Sequence, residues 1–156
     1  MKSFTQKPIS LLSARKSDVR TQFAALCYKR DAGNKTRILL VTSRASGRWI
    51  VPRGWPMDGL TPAECALTEA WEEAGVKGRV HPRCLGLWSY RKSLAGAGEV
   101  PCVAMLYAVE VSSLAKTYPE AGQRQRKWLS PKKAAARIEE PELAHIVRHF
   151  GPGDLA

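Results

Sequence analysis

The segment RGWPMDGLTPAECALTEAWEEAGV, residues 53–76, decides the reading of this chain. A loop with two glycines opens it. Thr61-Pro62-Ala63-Glu64 then reads as a helix start: Thr61 caps, Pro62 suits the first helical position, and Glu64 completes a capping box. Gly75 is a terminator just past the last turn. Between them lie Glu69, Glu72 and Glu73. Like charges at i,i+4 destabilise a helix by a few tenths of a kcal/mol, so folding does not explain the cluster. A hard divalent cation, which takes oxygen ligands, does.

On a helical wheel Ala63, Ala66, Leu67, Ala70 and Ala74 form a stripe of small residues that lets the helix lie close against a sheet. The expectation sets Glu69, Glu72 and Glu73 on roughly the opposite side, as an outward acidic fan. A solvated acidic face is a common alternative. The preceding loop shifts the balance: Gly54-Trp55-Pro56-Met57-Asp58-Gly59 lies between strand-like Arg48–Pro52 and the capped helix, a layout suited to a metal-bound phosphate.

These residues resemble the Nudix box, G-x5-E-x7-R-E-U-x-E-E-x-G-U, where U is aliphatic. Anchored on Gly75, the pattern starts at Gly54 without a gap, and Glu69, Glu72, Glu73, Gly75 and Val76 fall at family positions. Ala70 fills the first aliphatic slot. Two positions depart from the pattern: Leu60 replaces the first glutamate, and Thr68 replaces the arginine that usually pairs with it. Their joint loss reads as a substituted brace, because losing one partner alone leaves an unpaired charge. The stretches 39–44, 47–52, 72–78 and 122–129 are similar to the diphosphoinositol and diadenosine polyphosphate hydrolase branch.

The resemblance implies an α/β fold, an α/β/α sandwich with a mixed central sheet. It implies a metal-dependent pyrophosphohydrolase that uses Mg²⁺, with Mn²⁺ as an alternative. Glu69, Glu72, Glu73 and the backbone carbonyl of Gly54 would hold the metal. Glu69 or Glu73 would be the base; the sequence leaves that open. Arg20, Ser43 and Arg44 resemble polyphosphate-contacting positions, and Arg53 stands just before the box. Glu120 is an outside candidate for a further carboxylate. The substrate implied is a polyphosphorylated small molecule, with dinucleoside polyphosphates and diphosphoinositol phosphates favoured. The competing reading, motivated by Leu60 and Thr68, is a catalytically weak Nudix-fold module that binds nucleotide or RNA.

Composition sets the wider bounds. At 156 residues the chain is expected to form one domain over residues 19–150, with a basic, loosely ordered arm at 1–18 and a tail at 151–156. The formal charge of +11 favours anionic partners. The basic residues are scattered, so nucleic acid is compatible but not favoured. No apolar run approaches the roughly 18 residues that a membrane span needs, and the first residues lack a signal-peptide core. Cys27, Cys65, Cys84 and Cys102 show no CxxC pair and read as reduced core thiols. A cytoplasmic location is therefore expected. The oligomeric state stays open.

Apolar patterning gives the remaining elements. Strands are expected at 22–29 and 37–42, joined as a hairpin by the turn at 31–35. Further strands are expected at 48–51, 83–90, 100–111 and 126–129. Ser130-Pro131 and Pro141-Glu142 start two closing helices. Trp55 is a candidate to cover the substrate; Trp88, Tyr90 and Trp128 read as core or pocket wall. His145 and His149 have i,i+4 spacing but no third ligand, and His81 stands alone.

Overall fold

The computed structural model describes residues 8–12, 14–96 and 98–155. The expected arm over 1–18 therefore falls partly outside the described residues; Lys16–Asp18 of that stretch form one 3-10 turn. Seven strands and three α-helices follow: β1 (Arg20–Arg30), β2 (Thr36–Thr42), β3 (Trp49–Ile50), β4 (Arg53–Gly54), α1 (Pro62–Ala74), β5 (Val76–Leu94), β6 (Gly98–Leu114), β7 (Arg126–Leu129), α2 (Pro131–Arg137) and α3 (Pro141–His149).

The strands form one mixed sheet in the order β3-β2-β1-β6-β5, with β4 on β1 and β7 on β2. Only β1 and β6 run parallel. Strand alternation divides the core between the two faces. Ala24, Leu26 and Tyr28 of β1, Ile38 and Leu40 of β2, and Ala104, Leu106 and Ala108 of β6 pack with Ala134, Ala135, Ile138, Leu143, Val147 and Phe150 from the α2–α3 layer. Phe23, Ala25 and Cys27, Leu39 and Val41, and Tyr107 and Val109 pack with Ala63, Ala66, Ala70 and Ala74 of α1. This is the expected α/β/α sandwich.

The sheet opens where the site forms. β1 and β2 pair only through Tyr28–Arg30 and Thr36–Ile38. Further along, β1 pairs with β4 through Phe23 and Ala24, while β2 pairs with β3 through Val41 and Thr42. β7 holds the other edge of β2 from Ile38 to Val41. The two strands therefore diverge, and the chain carrying β3 and β4 lies between them. Gly54 ends that wedge.

Two strands are longer than their apolar runs suggest. β5 begins at Val76, directly after α1, and pairs with β6 despite register shifts between Val80 and Cys84 and again before Gly86. Its bulged part carries Lys77, Arg79, His81 and Arg83, so polar residues conceal a continuous strand. Between the expected strands at 83–90 and 100–111, the hairpin of β5 and β6 closes in a tight turn at Leu94 and Gly98, with Ala97 outside the described residues. Among the described residues, no helix is long and apolar enough to cross a membrane.

Candidate active site

Helix α1 is built as its sequence dictates. The Glu64 backbone N–H donates to Thr61 Oγ1 at 3.2 Å, and the Thr61 N–H donates to the Glu64 carboxylate at 3.1 Å, which closes the capping box. At the other end Gly75 is left-handed, with φ of 66°, and its N–H reaches back to the carbonyls of Ala70 and Trp71. A side chain there would also strike the Tyr118 ring, so two separate constraints select glycine. Arg126 adds a third anchor: its Nη1 donates to the carbonyls of Ala74, at 2.9 Å, and Ala115, at 3.0 Å. A cation at this end suits the helix dipole.

The acidic fan is not where the wheel reading put it. Glu69 and Glu73 are 8% and 5% exposed and turn inward. From Ala66 to Glu73 is seven residues, about 700° of rotation, so the two lie only about 20° apart. Glu69 and Glu73 flank the alanine stripe instead of opposing it, and of the three only Glu72 is not buried, being half-buried. Inward placement brings Glu69 against the wedge: a Cβ built on Gly54 would lie 2.1 Å from Glu69 Oε1. The Glu73 carboxylate accepts from the Arg53 backbone N–H at 3.2 Å.

The loop before β7 supplies the rest. It is fastened to the end of α1 by two backbone bonds, Ala115 N–H to the Gly75 carbonyl at 2.8 Å and Glu120 N–H to the Glu72 carbonyl at 3.0 Å. Glu120 thereby stands beside the helix glutamates, as the outside candidate required. Arg124 Nη2 pairs with Glu73 Oε1 at 3.2 Å and with Glu120 Oε1 at 3.1 Å. Its Nη1 donates to the Thr42 carbonyl at 3.0 Å. Arg44 binds Glu120 from the solvent side at 3.1 Å and Gln123 at 3.0 Å.

Charge in this pocket is unbalanced. Glu69, Glu72, Glu73 and Glu120 face two guanidiniums, and Arg44 is largely exposed. Burial first, then repulsion from Glu72 and Glu120, raises the Glu69 pKa to about 7. Burial also raises Glu73 to about 7; Arg124 opposes the shift and Glu69 reinforces it. Oxygen donors with surplus negative charge fit a hard divalent cation. Among the described residues, no three acidic, histidine or cysteine side chains stand in a ready coordination geometry. The donor chemistry therefore fits a metal, and the side chains would have to converge on it.

The remaining candidates separate. Ser43 is taken up by backbone bonds with Arg48 and Gly47. Arg53 is held from within: its Nη1 lies 2.9 and 3.1 Å from the two oxygens of Glu140, and its guanidinium lies over the Tyr90 ring. Trp88 Nε1 also donates to Glu140, and Tyr90 donates to Gln22. Arg20, exposed on β1, aligns with Cys102 of β6, and Cys102 aligns with Tyr90 of β5. Lys92, two residues beyond Tyr90, lies 5.9 Å from the Trp55 ring centre. Burial, then Arg53, pushes the Lys92 amine below its usual range. Arg20 and Lys92 have no carboxylate partner among the described residues. Arg124 and Lys92 were not expected at the site, nor Glu140 as the partner that holds Arg53. Arg124 was legible only as part of the 122–129 stretch that carries the branch resemblance, and no spacing rule links it to Glu73.

Trp128 is half-buried under Lys29 instead of fully in the core. The His145 and His149 rings lie 4.5 Å apart, and among the described residues no group of three potential metal ligands includes them. The four cysteines are free.

Comparison with known proteins agrees with this arrangement. A family model described as the NUDIX domain matches residues 20–150. Nudix hydrolase 13, mitochondrial, of Arabidopsis thaliana is 34% identical over 112 residues, covering 67% of this chain and 54% of that protein. The chain thus spans about half the length of this plant relative. Human diphosphoinositol polyphosphate phosphohydrolase 3-beta is 29% identical over 124 residues, covering 78% of this chain and 71% of that protein. The crystal structure of an Ap4A hydrolase of C. elegans superposes with a TM-score of 0.61 at 20% identity, covering 88% of this chain and 99% of that one.

Proposed function

We propose that this chain, which belongs to the NUDIX domain family, is a metal-dependent hydrolase that cleaves a pyrophosphate bond in a polyphosphorylated small molecule. One observation carries the reading. Two buried glutamates of α1, Glu69 against Gly54 and Glu73 on the Arg53 N–H, stand in a cluster with more negative charge than the two nearby guanidiniums balance. Glu69, Glu72, Glu73 and the Gly54 carbonyl are the proposed metal ligands, and Mg²⁺ is the proposed ion, with Mn²⁺ as substitute. When bound, such an ion neutralises phosphate oxygens and lowers the pKa of a bound water.

The chain's own residues supply the rest. Glu73 or Glu69 takes the proton of the attacking water. Arg44, Arg20 and Lys92 offer cations along the approach, and Trp55 covers it. The favoured substrates are diphosphoinositol phosphates and dinucleoside polyphosphates. The human relative's name supports the first, and the net charge supports densely anionic substrates of either kind. Free, mostly buried thiols suit a reducing compartment, so a cytoplasmic setting is proposed.

The deciding experiment measures product release from diadenosine polyphosphates, diphosphoinositol phosphates, ADP-ribose and nucleoside triphosphates, with and without Mg²⁺, beside Glu73→Gln. Metal-dependent turnover that disappears in the variant is expected. Turnover that survives Glu73→Gln would overturn the site assignment. Absence of turnover on every substrate, with tight nucleotide binding, would favour the binding-module reading.

A further inference from the structure

The family pattern places an arginine at position 68, one residue before the first of the paired glutamates. Here Thr68 occupies it, and its hydroxyl donates to the Glu64 carbonyl at 2.9 Å, inside its own helix. Leu60, in the slot of the usual glutamate partner, is 40% exposed. Helix α1 therefore has no basic residue of its own with which to orient Glu73. Yet Glu73 is buried, and the Arg53 N–H holds only one of its two carboxylate oxygens, Oε2, so the other needs a partner from outside the helix.

We infer that Arg124 is the positioning residue for Glu73 and replaces from outside the helix the brace that the helix lacks. Three observations support this. The Arg124 and Glu73 side chains are each 7% exposed, so water does not screen their 3.2 Å contact. The guanidinium is itself fixed, because Nη1 is on the Thr42 carbonyl and Nη2 is shared with Glu120. The segment bearing it is bonded to β2 on one side, where the Gln125 carbonyl accepts from the Thr42 N–H at 3.1 Å, and to α1 on the other through Arg126. A planar fork held at two points can fix a carboxylate; a single ammonium cannot do so equally well. Burying Arg124 leaves its Nε without a hydrogen-bond partner.

The inference rests on the hydrolase reading for its kinetic arm only. The test compares Arg124→Gln and Arg124→Lys with the parent protein by Mn²⁺ titration, by thermal melting without metal, and by kcat and KM on the best substrate. Outer groups that orient metal ligands typically carry about 10–100-fold in affinity or activity. Arg124→Gln should weaken Mn²⁺ binding and lower kcat by about that factor, with KM nearly unchanged. Arg124→Lys, which keeps the charge and loses the fork, should fall in between. A folded Arg124→Gln protein with parental Mn²⁺ affinity and kcat would overturn the inference. If Arg124→Gln does not fold, Arg124→Lys decides: parental kcat and Mn²⁺ affinity there would show that charge alone matters and no positioning is needed. If even the parent lacks turnover, the hydrolase reading fails, and the Mn²⁺ titration still tests the brace.

Discussion

Two largely buried arginines, Arg53 of the wedge strand β4 and Arg124 of the loop before β7, behave differently. Arg53 meets one carboxylate, Glu140, which also accepts from Trp88, and its guanidinium rests on Tyr90. Cation and anion balance one to one, and neighbouring aromatic side chains occupy the remaining surface. Arg124 meets two carboxylates at once, Glu73 and Glu120, while Glu69 and Glu72 add charge that no second buried cation answers. A balanced pair needs no further partner. An unbalanced cluster is stable only with protons on its carboxylates or with a cation between them. The comparison separates a structural ion pair from a binding site by charge, although the two resemble each other in distance and burial.

The contrast breaks if both pairs respond alike to substitution. Glu73→Gln should lower turnover by roughly 10²–10⁴-fold, the range for losing a positioned base. Its melting temperature without metal should hold or rise, because a repelled buried charge is removed. Glu140→Ala should do the reverse. It strands Arg53 and the Trp88 N–H, a loss of about 2–4 kcal/mol. At this chain length that corresponds to a fall of roughly 5–15 °C in melting temperature. Calorimetry and initial rates on the two variants measure both quantities. A Glu140→Ala protein that melts normally and is inactive would erase the distinction.

A smaller change probes the contact between the wedge and the helix. Gly54→Ala would set a methyl group 2.1 Å from Glu69 Oε1, and Gly54 is itself held in β4 by pairing with Phe23 of β1. The carboxylate must move. A displacement of about an ångström at a reacting centre can lower rate by as much as 10²-fold. We expect a loss of about 10–100-fold in kcat with a weaker Mn²⁺ affinity. Unchanged kinetics would mean that Glu69 is not held where it acts.

The same charge surplus predicts a pH dependence. Glu69 and Glu73 titrate near 7 in the folded protein, against 4.5 for an ordinary glutamate. Between those values the folded state retains protons that the unfolded chain has released, so stability falls as pH rises through that window. Without divalent cation the melting temperature should therefore be higher at pH 5 than at pH 8. Added Mg²⁺ should flatten or reverse the trend. A metal-free melting temperature that climbs from pH 5 to pH 8 would contradict the charge surplus.

Local signals made much of this legible before the fold was known. Thr61, Pro62, Glu64 and Gly75 gave α1 within a residue, because caps act through immediate neighbours. Apolar alternation gave β1, β2 and β7, and Ser130-Pro131 gave α2. The direction of the glutamates was misread: Glu73 belongs beside Ala66, and a count at 100° per residue is enough to show it. The first part of β5, before the expected strand at 83–90, was also missed, because the bulged Lys77–Arg83 stretch shows no alternation. Arg124 and Glu140 were beyond local reading altogether. Each lies many residues from its partner, and only the sheet's splayed edge brings Arg124 to Glu73 and Glu140 to Arg53.

The gentlest test restores what the helix lacks. Leu60→Glu with Thr68→Arg would rebuild the family's brace on positions that are exposed or half-buried. Room for the new side chains exists at Leu60, and Thr68 gives up only a hydroxyl bond within its own helix. If Arg124 already orients Glu73, the added pair is redundant, and the double variant should keep kcat within about threefold, in line with the small net worth of exposed ion pairs. In an Arg124→Gln background the same double substitution should instead recover part of the lost Mn²⁺ affinity. A rise in kcat of tenfold or more in the parent background would show that Glu73 is poorly held as it stands. Arg124 would then be one more structural arginine, no different in kind from Arg53.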